Sequence, residues 1–389
     1  MWGERSLMDL RKEFCGLAEQ EGANVSELCR RFGISRKTGY KWLARAKAVE
    51  EARFADRPRR PHESPTRTPA ETEEKLLAIR REHPCWGARK IRRRLLDLGE
   101  TDLPVASTIT EILRRHGCLD AAESAKHTAF KRFEHERPNA LWQMDFKGHV
   151  AMANQARCHP LTVLDDHSRY SLCLAACANE QGQTVQAQLV AAFKRYGLPE
   201  RMTMDNGSPW GDGPGSPFTV LTVWLMRLGI RCGHSRPYHP QTQGKDERFH
   251  RTLKAEVLQG RVFKDLAECQ ATFDTWRVVY NTERPHQALD FAVPATRYKP
   301  SPRLYPGHAP EPQYAPDDFE RRVQQGGWFS FQGREWKVSK AFAGQRIALR
   351  PTAEDGVWDA IFVAQRIAQV NLRDTLCYST PVTHVPEQV

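Results

Sequence analysis

The feature that most constrains this chain is the way two apolar runs and one helical stretch each end or open on a carboxylate. Leu141-Trp142-Gln143-Met144-Asp145-Phe146 alternates like a half-buried strand, and Asp145 stands near its end. Pro199-Glu200-Arg201-Met202-Thr203-Met204-Asp205 does the same, and Asn206-Gly207 stops it with a turn signal. Glu247 lies in a stretch of helical period, residues 242–254, that opens after Tyr238-His239-Pro240. Two strand-end aspartates and one helical glutamate demand a fold that gathers strand ends and a helix start in one place. Their chemistry suits hard divalent cations, which take oxygen ligands; two such ions about 3.5–4 Å apart can hold an attacking and a leaving oxygen.

Asp246 is the rival to Glu247. One step along a helix turns a side chain by about 100°, so only one of the two faces the site squarely. Asp246 shares a face with Phe249 and Leu253, whereas Glu247 shares one with Arg251 and Lys254. A basic face suits a groove that holds DNA, which favours Glu247. Asp165 and Asp166 also end a strand, but Asp165-Asp166-His167-Ser168-Arg169 reads more simply as a turn held by local hydrogen bonds.

Five blocks then carry a resemblance: Trp142-Gln143-Met144-Asp145, Leu164 to Tyr170, Met204-Asp205-Asn206-Gly207-Ser208, Gly244 to Lys254 and Tyr280 to Leu289. In this order the chain resembles bacterial insertion-sequence transposases with a retroviral-integrase-type catalytic core. The interval from Asp205 to Glu247 is a few residues longer than is usual there, and the surplus is assigned to a surface loop, residues 210–217. The resemblance implies a ribonuclease-H-like mixed sheet, catalysis and metal binding by Asp145, Asp205 and Glu247, and Mg²⁺ as cofactor with Mn²⁺ able to substitute. It also implies cleavage and strand transfer of double-stranded DNA at the element's ends and target, by a homo-oligomer assembled on DNA.

The flanking segments agree with a DNA partner. The net charge is +11, and more than half of the basic excess precedes Pro138. Residues 1–50 read as three helices in helix-turn-helix order, with Ser35 capping a third helix that starts Arg36-Lys37-Thr38. Arg36, Lys37 and Lys41 are its candidate DNA contacts, while Trp42 and Leu43 read as core; an ordinary three-helix bundle is the competing reading. Residues 51–67 are a Pro/Arg-rich linker, including Arg57-Pro58-Arg59-Arg60-Pro61. Residues 68–119 read as a second helix-turn-helix unit, with Arg89, Lys90 and Arg93 on its middle helix as further DNA candidates; a solvated basic face competes. Lys245, Arg251 and Lys254 are candidates for phosphate contacts beside the catalytic glutamate. His250 and His286 are given no role.

The remaining boundaries are a linker at 120–138, the α/β core at 139–299, a Pro-rich linker at 300–317 and a small SH3-like β-barrel at 318–389, read from short strands between glycines. The fold class is therefore multidomain: all-α, then α/β, then all-β. Ten singly placed cysteines form no metal-ligand or redox spacing and read as reduced packing residues. With no long apolar run and no signal-peptide core, no membrane partner and a bacterial cytoplasmic, nucleoid-associated location are expected. The function expected is a DNA transposase. The alternative is a non-catalytic, sequence-specific DNA-binding repressor with an inert core, which the intact acidic triad disfavours.

Overall fold

The computed structural model describes residues 6–47, 54–56, 67–119, 134–211, 217–234, 244–374 and 380–381. Two compact units result, residues 1–67 and 68–389. The Pro/Arg run, most of the 120–138 linker, the Pro240 loop and most of the 210–217 loop lie outside the described residues.

In the first unit α1 (Leu7–Ala18), α2 (Val25–Arg31) and α3 (Arg36–Ala46) each start on a polar cap: Ser6, Asn24 and Ser35 accept from backbone N–H groups of the following turn. Phe14, Cys15, Cys29 and Trp42 form its small core. Gly39 allows the close approach, because a Cβ there would lie 2.6 Å from Cys29 Sγ.

In the second unit α4 (Ala70–Glu82), α5 (Ala88–Asp97) and α6 (Ala106–Arg115) enclose Leu76, Trp86, Ile91, Leu95, Ile109 and Leu113. This helical triplet is docked on the α/β core. Arg94 pairs with Glu283, Cys85 Sγ donates to the Ala255 carbonyl at 3.4 Å, and Val279 packs against the triplet's apolar cluster.

The core opens with β1 (Leu141–Phe146), β2 (Val150–Ala151), β3 (Arg157–Asp165) and β4 (Ser171–Cys177), paired antiparallel through β3. After α7 (Gly182–Tyr196) come β5 (Arg201–Met204), α8 (Val220–Arg227) and β6 (Arg231–His234); β5 lies parallel to β1, and β6 parallel to β5. The sheet order is β2-β3-β1-β5-β6, with β4 beside β3. This is the mixed sheet expected from a meander followed by alternating helices and strands.

Strand alternation divides the sheet's side chains between two helical layers. Trp142, Met144, Met202 and Met204 point into one cluster with Val185, Leu189 and Phe193 of α7. Leu164 and Leu174 point into the other, with Phe249 and Leu253 of α9 (Gly244–Leu253) and Phe273, Trp276 and Tyr280 of α10 (Leu266–Thr282). The loop expected at 210–217 begins differently. Trp210 is buried and stacks on Phe146 at 5.7 Å, because a large apolar side chain beside the sheet is better covered than wetted.

The Pro-rich connector is tied along the core: Ser301 N donates to the Tyr196 carbonyl at 2.8 Å, and the Arg303 guanidinium donates to the Pro199, Leu228 and Gly229 carbonyls. Beyond it, β7 (Phe319–Arg322), β10 (Arg346–Pro351), β11 (Val357–Phe362), β12 (Gln365–Asn371) and β13 (Thr380–Pro381) form an antiparallel five-stranded sheet, and β8 (Trp328–Phe331) with β9 (Arg334–Lys337) forms a separate hairpin. The described residues form these two sheets without closing them into a barrel.

Gln365 attaches this domain to the core by completing an edge strand. Its Nε2 donates to the Cys232 carbonyl at 2.9 Å and its Oε1 accepts from Cys232 N at 3.1 Å, as a neighbouring strand would. Gln365→Ala strands both buried backbone groups of β6, so urea denaturation should show a loss of about 2–4 kcal/mol. A loss under about 0.5 kcal/mol would mean that the contact is incidental.

Candidate metal-binding active site

The positions of Asp145 and Asp205 follow from alternation and register. Trp142 and Met144 face α7, so Gln143 and Asp145 face the α9 side. The parallel register pairs Leu141 with Arg201, Trp142 with Met202 and Gln143 with Thr203. Continued by two residues, it brings Asp205, just past β5, to the level of Asp145. Both aspartates therefore leave the carboxyl ends of parallel strands on the same face, the usual place for a site on such a sheet.

Asp145 is half-buried. Its Oδ1 accepts from Phe146 N at 2.8 Å, and its carbonyl accepts from Thr162 Oγ1 at 2.9 Å. Burial pushes its carboxyl up to about 7; the Phe146 N–H opposes that rise, and the charges of Asp205 and Glu180 add to it. Asp205 is exposed, and Gly207 N donates to its Oδ1. Lys147 offsets part of the charge at Asp145, and the hard oxygen donors of this pair fit a divalent cation.

Helix α9 brings the third carboxylate in its first turn. Asp246, Phe249 and Leu253 are buried, while Glu247, Arg251 and Lys254 are exposed. The helix thus has the register read from its sequence, with Glu247 on the open basic face. Asp246 is 1 % exposed, and neither carboxylate oxygen has a hydrogen-bond partner among the described residues. The nearby Thr162 hydroxyl gives its proton to the Asp145 carbonyl. Burial raises the Asp246 carboxyl well above its ordinary range, and the charges of Asp145 and Asp166 raise it further. A side chain so enclosed cannot meet DNA. Among the described residues no group of three or more His, Cys, Asp or Glu side chains stands close enough to hold a metal, so Glu247 is near the aspartates in the fold without joining them in a cage.

Three neighbours carried no signal in the sequence reading. His250, one turn after Asp246, places Nε2 2.8 Å from Thr162 Oγ1 and Nδ1 3.9 Å from Asp145 Oδ2. Burial, helped by Lys147, pushes this imidazole down to about 3, so it is neutral near pH 7. Glu180, just beyond β4, accepts or shares a proton with His159 Nδ1 at 2.8 Å and adds its field at Asp145. Antiparallel pairing of β3 with β4 puts both at the same end of the sheet as Asp145, an inference that the meander alone would have allowed.

The expected DNA contacts divide. Arg36, Lys37 and Lys41 are exposed on α3, with Lys41 Nζ 4.5 Å from the Trp42 ring centre. Arg89 is exposed, but Arg93 is paired with Asp97 at 2.8 Å. Lys90 turns towards the core, where burial and the nearby Arg284 push its ammonium down to about 7. Arg251 and Lys254 are exposed beside Glu247. Lys245 differs from the expectation of a phosphate contact: its ammonium pairs with the buried Asp166 carboxylate and donates to the Asp166 carbonyl at 3.1 Å. A cation spent inside the fold cannot also serve the surface.

Comparison with known proteins agrees with this architecture. Residues 135–240 and 228–294 match families described as Integrase core domain, and residues 318–376 match the IS481 family transposase C-terminal domain. Residues 10–52 and 38–113 match homeodomain-like domains. An uncharacterized protein of insertion element IS476 from Xanthomonas euvesicatoria is 31% identical over 41% of this chain and 44% of its own length. One of insertion element IS407 from Burkholderia multivorans is 28% identical over 41% of this chain and 54% of its own. The chain thus spans about half the length of these two relatives. A putative transposase for insertion sequence element IS5376 from Geobacillus stearothermophilus is 22% identical over 88% and 83%. Among solved structures, an HTLV-2 integrase catalytic core domain in complex with magnesium superposes with a TM-score of 0.33 at 13% identity, covering 43% of this chain and all of that one. No described helix is long and apolar enough to cross a membrane.

The Asp246 carboxyl yields a test of the electrostatics. Its folded value is raised above the unfolded one near 4, so the unfolded chain releases that proton first and stability falls as pH rises above about 4. Asp246→Asn removes this loss. Urea denaturation should find the variant more stable than the parent at pH 8 and the difference smaller at pH 5; an equal difference at both would remove the buried-charge account.

Proposed function

We propose that this chain, a bacterial insertion-sequence transposase with an integrase-type core, binds the ends of its element and catalyses cleavage and strand transfer there. The observation that carries the reading is the convergence of Asp145 and Asp205 at parallel strand ends beside the first turn of α9, which bears the exposed Glu247.

In this reading Asp145, Asp205 and Glu247 hold divalent metal, with Mg²⁺ the expected ion and Mn²⁺ a substitute. Divalent metal held by Asp145, Asp205 and Glu247 would supply activation of an oxygen nucleophile and charge stabilisation for the leaving oxygen. The chain's own residues do the rest. The Phe146 N–H and the Thr162 hydroxyl fix the Asp145 side chain and its backbone. The neutral His250 ring fills the space beside it without adding a competing cation. Arg251 and Lys254 offer the DNA backbone positive charge next to Glu247. Water or a DNA 3′-hydroxyl can occupy the same nucleophile position, so cleavage and strand transfer are one chemistry with two nucleophiles.

Recognition of the ends is assigned to the exposed start of α3, with Arg36, Lys37 and Lys41, and to Arg89 of the second helical unit. Residues 318–376 match the IS481 family transposase C-terminal domain, and we assign the C-terminal sheets contacts along DNA. The domain limits 1–50, 68–119, 139–299 and 318–389 and a homo-oligomeric assembly belong to the same proposal.

Two measurements test it. Glu247→Gln should abolish cleavage of labelled end DNA in both Mg²⁺ and Mn²⁺ while end binding persists, and Asp246→Asn should retain most of the cleavage; the reverse pattern would move the third ligand to Asp246. Replacing Arg36 and Lys37 by Ala in the full chain should weaken end binding at least tenfold and make its salt dependence shallower by about two counterions. Unchanged affinity and slope would place recognition elsewhere.

A further inference from the structure

Asp166 follows Asp165, the last residue of β3, and the turn-like sequence gives no hint that it touches anything remote. Both aspartates reach back to the segment before β1, but only Asp166 also reaches α9. Asp165 accepts from Asn139 N at 2.7 Å and from Ser168 N at 2.8 Å. Asp166 is 1 % exposed. Its Oδ1 accepts from Gln143 Nε2 at 2.8 Å, its Oδ2 accepts from His135 N at 2.9 Å, and Lys245 Nζ pairs with that same Oδ2. Its backbone N–H donates to the Leu141 carbonyl at 2.9 Å, which anchors it to the start of β1.

The partners matter by position. Gln143 stands two residues before Asp145 on the same face of β1. Lys245 stands two residues before Glu247, in the first turn of α9. One carboxylate therefore joins the element that carries the first catalytic aspartate to the element that carries the glutamate. The first turn of a helix lacks intrahelical partners for its N–H groups and is the least constrained part of it. A buried ion pair at that turn fixes where the helix starts against the sheet, because separating the two charges would leave a carboxylate uncompensated in a medium that solvates it poorly.

We propose that Asp166, through Gln143 and Lys245, is a positioning residue that sets the separation of Glu247 from Asp145. This rests on the reading of Asp145, Asp205 and Glu247 as metal ligands. It assigns Lys245 to the geometry of the site rather than to DNA, and it gives Asp166 a part in catalysis without contact with substrate or metal.

The test uses the full chain with Mn²⁺ as the probe, read by calorimetry, alongside urea denaturation and cleavage of labelled end DNA. Lys245→Met removes the charge and should weaken Mn²⁺ binding at least tenfold, with cleavage falling further in Mg²⁺ than in Mn²⁺. Lys245→Arg keeps a cation at the pair and should restore both. The single change to Met leaves Asp166 buried without its partner and can unfold the chain, so the double variant Asp166→Asn with Lys245→Met decides. It carries no unpaired charge, and replacing a buried pair by neutral groups is often neutral for stability. Its denaturation midpoint should return towards the parent while Mn²⁺ binding and cleavage stay impaired. A double variant that binds and cleaves like the parent would make the pair purely structural and overturn the proposal. Asp145→Asn is the control: if Mn²⁺ binding survives that change, the ligand assignment fails instead, and this inference falls with it.

Discussion

The structure depends most on the period-two alternation of β1. Trp142 and Met144 are fully buried against α7, and burying each large apolar side chain is worth about 1.5–3 kcal/mol. A slip of one residue would bring those two to the other face and bury Asp145 with the α7 core. The apolar side chains thus hold the charged one in place. The same holds on β5, where Met202 and Met204 face α7 and Asp205 follows them on the opposite side. Parallel pairing of these strands, covered on both faces by helices, makes their carboxyl ends converge, and the carboxylates arrive together as a consequence of packing.

Much of this was legible because local patterns and tertiary packing agree. The β1 limits follow from alternation alone, and the third helix of the first unit begins where Ser35 caps it. The α9 register was readable from one helical turn, since Phe249 and Leu253 name the buried face and Glu247, Arg251 and Lys254 the exposed one. What escaped the sequence depends on contacts between distant segments. Lys245 looks like any surface cation until Asp166, far back in the chain, is placed beside it. Lys90 belongs to a basic stripe by sequence, but the docking of its helical unit on the core turns it inward. Short strands such as β7 and β13 carry too few residues to show a period, and they are defined by their partners.

The same dependence on distant contacts explains why the domains read from composition are not independent bodies. Prolines mark 300–317 as a connector, yet Ser301 and Arg303 bond the backbone of the core along it. Gln365 completes the edge of β6, and Phe342 meets Phe218 edge-on at 5.0 Å. Arg94 and Val279 join the second helical unit to α10. From residue 68 onward the chain is one compact unit, so DNA contacts made by its flanking parts would bear on the site through packed elements. Residues 1–67 form the other compact unit.

The cost of this arrangement is concentrated around Asp145. Its carboxyl is driven up by burial and by neighbouring carboxylates, and Asp246 lies behind it fully enclosed and without a hydrogen bond among the described residues. A buried acid in such surroundings lowers its charge by holding its proton, since an unpaired ion in a poorly polarisable interior costs several kcal/mol. Asp166 is equally buried, but its carboxylate has a cation and two N–H donors as partners. The two sides of α9 thus differ in kind. Beside Asp166 the helix is held by an ion pair, and beside Asp145 it borders carboxyl groups that burial and mutual repulsion push towards their protonated form. On the proposed reading this division has a use: the ion-paired side fixes the helix, and the other side is where a divalent cation gains most by binding.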